Sequence, residues 1–200
     1  GWNANYVLFN TFGGGIQIIS MMLFYPLFRK FISAMQVFYV SFVMAIGGYA
    51  VLLALMFTNR TNIYILMIPG FFIFTAFGML TVLTTVFLAN TVDYGELKNN
   101  RRDESVIFSM QTFVVKLASG VAAMIASICL TISNISNDTS TEAAAMVSDS
   151  YTSVAVLRMT MTVLPIIGLL VAVFIFAKKY ILTDEKLGEI NQELAHRHKA

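Results

Sequence analysis

Charged side chains crowd one short segment: Asp93, Glu96, Lys98, Arg101, Arg102, Asp103 and Glu104. Acids and bases at these spacings can form ion pairs that one conformation makes and another breaks. A solvated surface loop has the same composition, so the segment alone selects no chemistry. A second charge follows inside an apolar stretch. Lys116 stands about ten residues past its start, or ~15 Å at the helical rise. That is near the centre of a hydrocarbon layer about 30 Å thick. An ammonium at that depth cannot easily snorkel to either surface. It needs protein, water or a counter-charge. No apolar stretch of the chain holds an acid at this depth. The partner of Lys116 is therefore expected outside this chain or in a substrate.

Small and polar residues share the helical face of Lys116: Ser109, Thr112, Ser119, Ala123 and Ser127. A similar face reads Gly78, Thr81, Thr85 and Ala89, and a third reads Asn10, Gly13, Gln17 and Ser20. Small residues also let membrane helices pack closely, which is the ordinary explanation of any one of them. Three such faces, one with a central lysine, point to an aqueous cavity. Arg158 lies near a span end and is expected to anchor it at the interface.

The elements that position these residues follow from composition. Of 200 residues, 58% are hydrophobic and 12% charged, with a mean hydropathy of +0.75. A soluble domain carries about twice that charge. Five apolar stretches, 6–28, 35–57, 63–89, 106–132 and 154–177, each exceed the ~20 residues that cross a bilayer as helix. Open segments in lipid satisfy their backbone only as helices. The expectation is an all-α membrane protein with five transmembrane helices within residues 1–180. Residues 91–105 form a charged loop, 133–152 an external loop, and 181–200 an amphipathic tail. In that tail Lys186, Leu187, Ile190 and Leu194 share a face, with Thr183 as a candidate cap.

Basic residues alternate between the two sides. Arg29 and Lys30, then Lys98, Arg101 and Arg102, then Lys178, Lys179, Lys186, Arg197 and Lys199 fall on one side. Only Arg60 falls on the other. The positive-inside rule makes the first side cytoplasmic, including the C-terminus. The net charge of +2 is too small to suggest a nucleic-acid partner. Cys129 is the sole cysteine and suits neither a disulfide nor a metal site. His196 and His198 sit together in the tail, away from any nucleophile or acid set, so an enzyme is not expected. The opening Gly-Trp-Asn, without a basic n-region, reads as the middle of a longer protein.

The spacing from Ala89 to Lys116 resembles the signature of the glycoside–pentoside–hexuronide:cation symporters, twelve-helix members of the major facilitator superfamily. The residues that carry it are Ala89, Val92, Asp93, Tyr94, Gly95, Glu96, Lys98, Arg102, Glu104, Ser105, Phe108, Ser109, Gln111, Thr112 and Lys116. The last part is closest to the melibiose-permease branch. The resemblance implies that the five helices are helices 8–12, with helix 7 and an N-terminal six-helix half absent. It implies a cytoplasmic gate at Asp93, Tyr94, Glu96, Lys98, Arg102 and Glu104. It also implies substrate and ion coupling at Lys116, Thr112, Gln111 and Thr81. No cofactor is implied. A coupling cation, Na⁺ or H⁺, would be bound mainly by the absent half, in the plasma (inner) membrane. Asn90, Leu97 and Asn99-Asn100 depart from the family pattern and alter the gate. Thr81 stands where the melibiose branch has Trp, so the resemblance implies a sugar or glycoside without naming one. The alternatives are a non-sugar solute on the same scaffold, or a membrane receptor or scaffold protein that does not transport.

Overall fold

The structure is a computed structural model that describes residues 2–57, 62–132, 151–182 and 184–197. The side chains of residues 2, 3, 56, 57, 132, 151–157 and 197 lie outside that description. Most of the described residues are helical, and none of them forms a strand. The first span joins α1 (Trp2–Ile19), one π-helical turn (Ser20–Phe24) and α2 (Tyr25–Phe31) without a break. Helices α3 (Ala34–Phe57), α4 (Ile63–Asn99), α5 (Glu104–Ile132), α6 (Tyr151–Lys179) and α7 (Asp184–Arg197) follow. Among the described residues, five helical segments are long and apolar enough to cross a membrane: Ala4–Phe31, Ala34–Leu55, Ile63–Asn99, Glu104–Thr131 and Arg158–Lys179. The expected all-α architecture with five spans is present.

One expected boundary differs. The charged stretch 91–105, read as a loop, is helical through Asn99 and again from Glu104. Glu, Lys and Arg are good helix formers, and charge ends no helix by itself. The stop comes at Asn100, whose φ of 51° is left-handed. Asn is one of the few residues that tolerates that conformation at a helix C-terminus. The external loop 133–152 falls almost wholly outside the described residues, as do Arg60 and the candidate cap Thr183.

Helix α4 is the centre of the bundle. Two glycines bring the first span onto it. Gly13 faces the ring of Phe74, and Gly78 faces the Gln17 carbonyl and Ser20. An added Cβ at Gly78 would sit 2.7 Å from both Gln17 O and Ser20 Cβ, so only glycine permits this approach. The Ser20 hydroxyl donates to the Thr75 carbonyl at 2.7 Å, fully buried. This crossing lies at the π-helical turn, where one extra residue has been accommodated. The polar face Gly13, Gln17 and Ser20 is thus a helix contact and not the wall of a wet cavity.

An aromatic cluster ties α3, α4 and α6 together. The Phe38 ring lies 4.6 Å from Phe42, 5.6 Å from Phe87 and 4.1 Å from Phe176, centroid to centroid. Tyr180 extends it, 4.5 Å from Phe176 and 4.9 Å from Phe87. Such pairs contribute about 0.5–1.5 kcal/mol each beyond their area. The tail helix α7 docks below this cluster. Leu182, Ile190 and Leu194 are buried against Tyr94, Leu97, Tyr180 and Leu187. The amphipathic tail therefore packs on the end of α4. Burial pushes the Tyr180 phenol above its ordinary range.

Candidate functional site

The end of α4 has two faces with different duties. Tyr94 and Leu97 point to the tail helix. Asp93 and Glu96, one residue before each, face the turn that leads to α5. Arg102 in that turn reaches both. Its Nη1 donates to Glu96 Oε2 at 2.8 Å and to Asp93 Oδ1 at 3.2 Å. Its Nε donates to Glu104 Oε2 at 3.2 Å. One guanidinium thus holds three carboxylates, two from the end of α4 and one from the first turn of α5. Donation to Glu96, followed by donation to Glu104, raises the Arg102 pKa. Glu104 also sits where the helix dipole of α5 favours an anion. Beside it, Arg101 Nε and Asp103 Oδ1 pair at 2.8 Å.

The cluster is open to water. The Arg102 side chain is 51% exposed, and Glu96 is the most enclosed of its partners at 14%. Exposed pairs add little to stability and break readily. Arg102, Glu104, Ser105 and Phe108 line a cleft of about 540 Å³ at the same end.

Of the six gate residues expected from sequence, the structure brings four together: Asp93, Glu96, Arg102 and Glu104. Tyr94 lies on the opposite face against the tail. Lys98 is exposed and joins none of these pairs.

The four coupling residues are not gathered in this way. Lys116 and Thr112 are exposed on α5, and Gln111 is half-buried. The Thr112 hydroxyl is spent on the Phe108 carbonyl of its own helix, at 3.0 Å. Thr81 is exposed on α4 and bonds the Phe77 carbonyl at 2.8 Å. Among the described residues Lys116 has no ion-pair partner. The rest of its stripe is equally open, with Ser109 and Ser119 bonded to α5 carbonyls. Within the most apolar part of α5 no residue is buried inside the chain. Its polar face is therefore free to meet another surface.

Two features were not read from the sequence. The docking of Leu97 and Tyr180 on the tail depends on α4 running past the membrane. The Ser20–Gly78 crossing depends on a π turn, for which Ser20 gives no period-based signal.

Known proteins give this arrangement a family. Residues 1–184 match the profile described as MFS/sugar transport protein. A lactose permease of Lactobacillus delbrueckii subsp. bulgaricus is 31% identical over 97% of this chain and 29% of its own length. A raffinose carrier protein of Pediococcus pentosaceus is 28% identical over 90% of this chain and 26% of its own. An uncharacterized symporter of Bacillus subtilis is 26% identical over 69% of this chain and 28% of its own. The chain spans less than a third of the length of each. With that match over nearly the whole chain, on top of the all-α fold and its five spans, the chain belongs to the MFS/sugar transport protein family.

Proposed function

We propose that this chain is the C-terminal portion of a secondary symporter that moves a sugar or glycoside with Na⁺ or H⁺ by alternating access. The observation that carries the reading is Arg102 clasped by Asp93, Glu96 and Glu104 across the junction of two membrane-crossing helices. In such a cycle one bundle rocks against another around a central site. The clasp keeps the ends of α4 and α5 together in one state, and its exposure lets water dissolve it in the next. Lys116, about three turns along α5 from Glu104, then faces the central cavity. There it meets carboxylates of an N-terminal half, together with the cation and the sugar. Thr112, Gln111 and Thr81 supply hydroxyl and amide groups toward the same cavity. The names of the relatives, a lactose permease and a raffinose carrier, support a sugar. The basic residues at the clasp end support a cytoplasmic side for that end and for the C-terminus.

The test is uptake by the full-length protein in vesicles, driven in turn by a sodium and a proton gradient. The expected result is sugar accumulation that stops when the coupling gradient is collapsed and that Lys116→Met abolishes. Accumulation that ignores both gradients, or a Lys116→Met variant with unchanged uptake, overturns the reading.

A further inference from the structure

A groove of about 380 Å³ runs along the last turns of α6, lined by Ala172, Ile175, Phe176, Tyr180 and Lys179. Its walls are carbon except at one end, where Lys179 stands. Ala172 makes the notch, because a larger side chain there would fill it. Two ammonium groups end this helix. The Lys178 Nζ lies 4.4 Å from the centroid of the Phe174 ring, one position before Lys179 and outside the groove lining. Neither lysine has an ion-pair partner among the described residues. The nearest acids in sequence, Asp184 and Glu185 in the first turn of α7, are exposed and pair with neither.

The same end of the bundle carries more positive charge. Arg29 and Lys30 close α2. Phe28 and Ile32 around them pack on the cluster that also takes Phe176 and Tyr180. One cation, Lys179, thus lines the apolar groove, and three more, Lys178, Arg29 and Lys30, stand at the same end of the bundle. Basic residues at this level attract anionic headgroups, and the attraction adds up residue by residue. A polar solute would leave the carbon walls uncovered, and a neutral lipid would leave the ammonium groups unanswered.

We propose that this groove binds one anionic phospholipid, an acyl chain along Ala172, Ile175 and Phe176 and the phosphate on Lys178 and Lys179. The bond is electrostatic and apolar, without covalent chemistry. It differs from ordinary anchoring of lysines at the interface, which does not select one bound lipid.

Native mass spectrometry of the full-length protein tests this, with phosphatidylglycerol and phosphatidylcholine of identical acyl chains titrated in turn. The wild-type protein is expected to hold phosphatidylglycerol the more tightly. With about fivefold per lysine, a Lys178→Gln/Lys179→Gln variant loses that preference and keeps its phosphatidylcholine affinity. A Lys178→Arg/Lys179→Arg variant retains the preference, and Ala172→Phe weakens both lipids by filling the notch. Equal affinity of the wild-type protein for the two lipids overturns the proposal without any variant. So does unchanged phosphatidylglycerol binding by both the glutamine variant and Ala172→Phe.

Discussion

Helices α4 and α5 are both apolar enough to span a bilayer and are joined by a short turn, yet the chain treats them in opposite ways. In the most apolar part of α4, 39% of residues are buried inside the chain; in α5 none are. Apolar content cannot be the cause, because lipid tails are as apolar as leucine and drive no association between helices. The difference is in shape and polarity. Helix α4 offers Gly70 and Gly78 to the first span and Met79, Leu83 and Phe87 to the aromatic core. Helix α5 offers serines, a threonine and a lysine, whose described hydroxyl bonds turn back on their own helix. One helix is built to be packed; the other is built to present groups to something else.

The comparison can be broken most directly at Lys116. If α5 couples two ligands, replacing Lys116 with Met lowers the coupling between cation and sugar binding by about 5–150-fold. The thermal midpoint of the protein in detergent stays where it was. A large stability loss with intact coupling would make α5 a structural helix like α4. The complementary change is Gly78→Ala, which forces a Cβ against the Gln17 carbonyl and Ser20. Overpacking of this kind costs about 1–3 kcal/mol, to be read as a lower thermal midpoint. The same change at Gly120 of α5, where nothing lies within 4 Å, is expected to cost nothing.

Two smaller effects sharpen the picture of α4. Leu194→Ala empties part of the contact between the tail and α4. A loss of about 2 kcal/mol would appear as faster amide exchange confined to α7 and the end of α4. Ser20→Ala removes one buried hydrogen bond, worth about 1 kcal/mol, and is checked by the same thermal assay. Smallest in stability is Arg102→Gln. The guanidinium itself is half exposed, so the thermal midpoint should hold while the salt dependence of uptake between low and high ionic strength flattens.

The membrane spans were legible because length and apolarity are sufficient signals for them. The clasp was legible in part. Asp93, Glu96, Arg102 and Glu104 stand at spacings that meet once α4 ends beyond Glu96, and the structure brings them together. Tyr94 entered the gate set through the family resemblance, and in the structure it packs on the tail helix and takes no part in the clasp. Once the charged stretch is helical, Tyr94 lies about 200° around the helix from Glu96 and points away from it. The surroundings of Lys116 were the least legible. Depth follows from counting residues, but a partner does not, and none stands among the described residues. The π turn at Ser20 was invisible, since one extra residue shifts a helical pattern without erasing it.

That extra residue has a consequence for how the first span tolerates length changes. Each residue turns a helix by about 100°. Removing one from Ser20–Phe24 would restore a regular helix, an outcome that elsewhere relieves strain. Here it would rotate α1 by more than a quarter circle relative to α2. Phe9 would leave Phe74, Gly13 would leave its ring, and a bulkier neighbour would meet Gly78. A one-residue deletion there should therefore be worse tolerated than a point substitution at any of the same five positions.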